Sequence, residues 1–180
     1  MNDIAKELAK LHVLTGADFS RQVEKIACMH VFQLIRDENN IYSAIGEKEK
    51  DYKNLIIGAR KLVNHGYRVF ILPNPKNVRT PDFIVERRGV YRIYDLKTIS
   101  GETSVINRLQ ESIGQCNQVI LNMSSVYNAR QLGKDIRQYF EKNPNGVEIM
   151  ILKGNQQIIV KRKYALKTDF VKTFMMRYYK

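Results

Sequence analysis

PDFIVERRGVYRIYDLKT, residues 81–98, decides how this chain is read. Asp82 to Arg87 and Val90 to Thr98 are runs rich in β-branched and aromatic residues, split by Arg88-Gly89, which is the pattern of a hairpin with a tight turn. Side chains two apart on a strand share a face. Asp95 and Lys97 therefore point the same way, together with Ile93, while Leu96 points into the core. A turn at Arg88-Gly89 brings Asp82 roughly opposite Asp95. Two carboxylates converging with waters and a substrate phosphate form the usual Mg²⁺ or Mn²⁺ arrangement, and a lysine beside them can hold a water and steady developing negative charge.

Each residue also has an ordinary reading. Asp82 after Pro81 starts a turn, and Asp95 with Lys97 is the charge pair of an edge strand that resists aggregation. Burying an Asp and a Lys on an otherwise apolar face is costly unless they pair or bind something. The register, the shared face and the charge of the whole chain together favour a metal site.

That charge is +12 at pH 7, from 30 Lys and Arg against 18 Asp and Glu. Such an excess favours a polyanionic partner through electrostatic attraction and counterion release. It is concentrated in 161–180, where Lys161, Arg162, Lys163 and Lys167 begin a basic segment interleaved with Tyr164, Phe170, Phe174, Tyr178 and Tyr179. This segment reads equally as a phosphate-binding flank with stacking side chains or as an amphipathic helix with solvated cations; membrane-surface binding is a third reading.

The 180 residues suit one domain with a small appendage. No apolar run approaches the roughly 20 residues needed to span a bilayer, and the N-terminus MNDIAKELAKLHVL lacks a basic start followed by an apolar core. Cys28 and Cys116 are far apart with no CxxC spacing and read as thiols of a reducing compartment. The expected location is cytoplasmic, with no membrane partner.

Working outward, the spacing predicts helices over 3–14 and 17–35, then no strand before residue 47, so the front reads as a helical appendage. A helix over 51–64 follows, ended by His65-Gly66. Strands are predicted over 67–72, 118–123, 147–152 and 156–161 in addition to the hairpin, with helices within 101–114 and over 125–142 and 168–179. Pro73, Asn74, Pro75 and Asn77 read as a loop. Hairpins combined with strand-helix-strand crossovers imply an α/β (α+β) fold with a mixed central sheet flanked by helices.

Pro81-Asp82 followed by Asp95-Leu96-Lys97 resembles the motif of the PD-(D/E)XK phosphodiesterase superfamily. The wider run, GYRVFILPNP, TPDFIV, VYRIYDLKT, a helix, QCNQVILNM, a long helix and a hairpin, resembles the C-terminal nuclease domain of contact-dependent growth inhibition (CdiA) toxins over residues 50–163. The resemblance implies a restriction-endonuclease-like core over 47–180 behind an N-terminal extension at 1–46. It also implies a metal-dependent endonuclease on DNA or tRNA, with Asp82 and Asp95 as ligands of Mg²⁺ or Mn²⁺ rather than Zn²⁺. Lys97 would position the water or stabilise charge. Gln115, or Gln118 near the next strand, stands where the family tends to place a glutamine, and Thr98, Ser100 and Asn107 are further candidates for the same cleft. The superfamily usually supplies a Glu from the helix before the first core strand. DYKNLIIGARKL contains none, so Asp51 or Glu24 serves, with Glu47 and Glu49 just upstream, or two carboxylates suffice with water. A toxin would act in a target-cell cytoplasm and have an immunity protein as partner. The alternative is a catalytically weak nuclease fold retained for nucleic-acid binding or assembly. His30 and His65 read as ordinary boundary residues.

Overall fold

The computed structural model describes residues 2–45, 51–74, 80–101 and 104–180. Glu47, Glu49, Pro75 and Asn77 lie outside them. The chain forms two compact units, Met1–Tyr94 and Asp95–Lys180.

The first unit opens with α1 (Asn2–Lys10) and α2 (Gly16–Ala27), which bury Ile4, Leu8, Val23 and Ile26. Glu7 ties the two together. Its carboxylate accepts from Gln22 Nε2 (2.7 Å), Lys10 Nζ (2.8 Å) and Lys25 Nζ (2.9 Å). These three donors hold the acid far down, at a pKa of about 2.

The front section is not wholly helical. The predicted 17–35 helix stops at Ala27, and β1 (Gln33–Leu34) pairs antiparallel with β2 (Ile41–Ser43). Val31, Leu34 and Ile35 fit a helical period from sequence, but tertiary contact wins: Phe32 packs edge-on against Phe70 at 5.5 Å. Asp37 and Asn40 turn the chain between β1 and β2 at positive φ (63° and 61°), a region where Asn and Asp are the favoured side chains.

Next, α3 (Tyr52–Asn64) carries the expected buried stripe of Leu55, Ile56, Ala59 and Leu62. Gly66 at φ 79° ends it, with Tyr67 N donating to Leu62 O and Gly66 N to Val63 O. β3 (Arg68–Ile71) runs parallel to β2, and β4 (Phe83–Arg87) antiparallel to β3. β5 (Val90–Ile99) then returns antiparallel along β4, with Arg87 opposite Val90 and Phe83 opposite Tyr94. Arg88 (φ 55°) and Gly89 (φ 78°) make the two-residue turn, the double positive φ that matches strand twist. Glu86 braces the turn, accepting from Gly89 N and from Arg68 Nε, each at 2.6 Å.

β5 belongs to both units, and its residues Asp95–Ile99 open the second. There the order is β5-β6-β7-β8, from β6 (Gln118–Met123), β7 (Glu148–Lys153) and β8 (Gln156–Lys161). The first three are parallel and β8 is antiparallel. Parallel neighbours need a crossover, supplied by α4 (Val105–Glu111) and α5 (Ala129–Lys142). Ser104 caps α4 by accepting from Asn107 N, and Asn128 caps α5 by accepting from Gln131 N. After β8 come the short α6 (Arg162–Ala165), absent from the sequence expectations, and α7 (Phe170–Tyr178). The core gathers Val119, Leu121, Ile149 and Ile151 from the strands with Leu109, Leu132, Ile136, Phe140 and Phe174 from the helices. Each fully buried side chain of this kind contributes about 1.5–3 kcal/mol. Gly133 lets α5 and α7 approach closely, since a Cβ there would lie 3.2 Å from Phe174 Cδ1.

Candidate nuclease-type site

The two charged residues of β5 meet. Lys97 Nζ lies 2.9 Å from Asp95 Oδ2, with side-chain exposures of 14% and 3%. Strand periodicity places them on one face, as the sequence implies, and the register puts Asp95 beside Val119 and Lys97 beside Leu121 on β6. Registered neighbours share a face, so the pair interrupts an apolar surface. Lys97 thus sets a positive partner beside a deeply buried carboxyl group, the pairing that burial of charge demands.

Asp82 is half-buried in the bend just before β4. Its backbone is held from both sides: Asp82 N donates to Tyr94 O (3.0 Å), and Asp82 O accepts from Leu72 N (2.9 Å). The ladder therefore continues one residue past the start of β4, immediately before the Phe83–Tyr94 pair.

The other expected residues scatter. Gln115 is half-buried in the turn after α4, its N donating to Ser112 O (3.0 Å). Gln118 alternates with Val119, which is in register with Asp95, so Gln118 lies on the opposite face of β6 from that register position. Asp51 is exposed at the N-cap of α3, and Glu24 is exposed on α2. Among the described residues no three His, Cys, Asp or Glu side chains gather in a group able to hold a metal. His30 is exposed and His65 sits at the C-cap of α3.

Sequence reasoning did not single out Tyr139. This α5 residue is buried, and burial pushes its phenol above the usual range; nearby Cys116 and Asp95 act in the same direction, while hydrogen bonds with Ser112 and Asn143 oppose them. The field of Asp95 is thus felt on α5. A helical tyrosine among apolar neighbours carries no sequence signal for that proximity.

The basic C-terminal segment sorts into two kinds of residue. Lys161, Lys163 and Lys167 are exposed. Arg162 is turned inward, donating Nη1 to Phe140 O and, at 2.7 Å, to Asn143 O, so it closes the C-terminus of α5. Phe170, Phe174 and Tyr178 are core, whereas Tyr164 and Tyr179 are 49% and 66% exposed. Among the described residues, no helix is long and apolar enough to cross a membrane.

No family model and no curated protein matches the chain. Among solved structures, the chain is similar to a CdiA-CT/CdiI toxin and immunity complex from Burkholderia pseudomallei, at 17% identity and a TM-score of 0.43, over 72% of this chain and 93% of that one. So slight a similarity transfers no chemistry from one to the other.

Proposed function

We propose that the chain is a metal-dependent nuclease whose reacting phosphate is bound at Asp82, Asp95 and Lys97. The observation that carries this is the 2.9 Å Lys97–Asp95 pair, buried on one face of β5 in a chain of charge +12. By the resemblance of Pro81-Asp82 and Asp95-Leu96-Lys97 to the superfamily motif, Asp82 supplies the second carboxylate. Two carboxylates, all oxygen donors, suit Mg²⁺ or Mn²⁺ completed by waters and substrate phosphate, and lack the nitrogen or sulfur ligands Zn²⁺ favours. A divalent cation held there supplies Lewis-acid polarisation of the phosphate and a bound water of lowered pKa.

The remaining chemistry falls to the chain. Asp95, in register with Val119 of β6, orients what it binds. Lys97, held by Asp95 at rest, turns its ammonium toward the non-bridging oxygen on which charge grows as the phosphodiester bond is attacked, a term worth more in a site shielded from water. Gln115 is a further candidate for contact with that phosphate, and Lys161, Lys163 and Lys167 for contacts along the polyanion. The resemblance over residues 50–163 extends this reading to a toxin with an immunity partner.

The test is incubation with plasmid DNA, single-stranded DNA and total tRNA in Mg²⁺, Mn²⁺ or EDTA. Metal-dependent cutting that disappears in a folded Asp95→Ala variant is expected; undiminished cutting by that variant overturns the assignment. A second reading, a nuclease fold that binds without turnover, draws on the lack of a Glu in DYKNLIIGARKL, the helix before the first core strand. It predicts Asp82- and Asp95-dependent Mn²⁺ binding with no product from any of the three substrates.

A further inference from the structure

We propose that a groove on the second unit, bounded by Tyr164, Lys167 and Arg177, binds single-stranded nucleic acid, with one unpaired base on the Tyr164 ring and flanking phosphates on Lys163, Lys167 and Arg177. This deepens the nucleic-acid reading above and rests on it.

The first support is how the aromatic residues are used. Of those in the C-terminal segment, Phe170, Phe174 and Tyr178 are 5% exposed or less and hold the core, so their ring faces are closed to a stacking base. Tyr164 is half-exposed and faces the groove. Its ring already attracts cations: Lys163 Nζ lies 5.0 Å and Lys167 Nζ 5.3 Å from its centroid. Neither lysine is in an ion pair among the described residues. A tyrosine face with two lysines in reach offers a base a stacking platform and its phosphates two flexible counter-charges.

The groove's size and charge define the occupant. It encloses about 210 Å³, floored by Ile159 and Phe174, less than the roughly 300 Å³ at which enclosed small-molecule sites begin. It is therefore suited to part of a passing chain. Lys167 and Arg177 line it against one carboxylate, Asp169, so the balance favours a polyanion. Arg162 takes no part, being spent on the carbonyls of α5. Duplex bases hide their faces from a protein side chain, so stacking on Tyr164 selects an unpaired strand.

The test is fluorescence anisotropy in EDTA, using a labelled mixed-sequence single-stranded 12-mer, as DNA and as RNA, and a blunt DNA duplex. Tyr164→Ala should weaken single-strand binding at least about fivefold and leave duplex binding unchanged, with Tyr164→Phe restoring it. Lys163→Ala with Lys167→Ala should weaken both and lower the single-strand salt slope by about 1.4, at about 0.7 per phosphate contact. Melting curves of each variant confirm folding. Equal single-strand affinity for Tyr164→Ala and wild type overturns the inference, as does phosphatidylserine-vesicle binding that depends on these residues without oligonucleotide binding. Asp95-dependent cutting that persists beside a failed groove test leaves the nuclease reading standing; absence of both binding and cutting removes both.

Discussion

Lys97 and Asp95 are two residues apart on β5, share one face, and stand 2.9 Å from each other. The lysine keeps 14% of its side chain in solvent and the acid only 3%, so the two do not bear separation equally. Lys97→Met removes the cation beside a buried carboxyl group and should destabilise the fold by about 3 kcal/mol. Asp95→Asn leaves an ammonium that can reach water and should cost less; the nuclease proposed above further expects it to reduce cutting at least about 100-fold. The double variant should recover most of the Lys97→Met loss. Urea denaturation of the four proteins checks the ranking; a larger stability loss for Asp95→Asn than for Lys97→Met contradicts it.

Arg162 belongs to the fold although the sequence places it in a basic run. Arg162→Ala removes charge-assisted bonds to the Phe140 and Asn143 carbonyls and should cost about 1.5–3 kcal/mol. Oligonucleotide affinity, measured where the variant is fully folded, should stay within twofold of wild type.

Glu7 sets an acid limit on the α1–α2 brace. Its folded pKa, about 2, is below its ordinary 4.5 because Gln22, Lys10 and Lys25 hydrogen-bond the charged form. A depressed carboxyl contributes stability that is full above the ordinary value and is lost as pH falls toward the folded one. The difference in urea midpoint between wild type and Glu7→Gln should be constant at neutral pH and shrink between pH 4.5 and about 2. A gap that widens on acidification is the contrary result.

Gly133 marks where α5 and α7 touch. A Cβ would meet Phe174 Cδ1 at 3.2 Å and Val171 Cγ1 at 3.5 Å, so Gly133→Leu forces the helices apart. Overpacking of this sort costs about 1–3 kcal/mol. Gly133→Ala gains about 1 kcal/mol of helix propensity against a smaller clash and should be close to neutral by thermal melting.

Period and turn chemistry carry most of the fold. β6 was legible in full because QVILNM has strand length and an unbroken apolar centre at Val119, Ile120 and Leu121, and the β4–β5 turn because Arg88-Gly89 separates two β-rich runs. β1 was not legible, since Val31, Leu34 and Ile35 satisfy a helical spacing until Phe70 offers Phe32 a partner. At the candidate site, the Asp95–Lys97 pairing follows from strand alternation alone. The inward turn of Arg162 does not, because a guanidinium that caps a helix and one that binds phosphate look alike in a sequence. The sorting of exposed Tyr164 on α6 from buried Phe174 on α7 likewise depends on tertiary packing, which composition does not reveal.

The turn at Arg88 and Gly89 works as a gauge for the hairpin. Both residues hold positive φ, and the two-residue loop fixes which residue of β4 faces which residue of β5 down to Phe83 and Tyr94. Side chains alternate with period two, so a slip of one residue sends every inward group outward. The face that each residue of β4 presents is thus encoded remotely, in an exposed turn. Substitutions along the strands can accumulate without altering that register, whereas a change of one residue in the loop at Arg88-Gly89 re-aims every side chain of the hairpin.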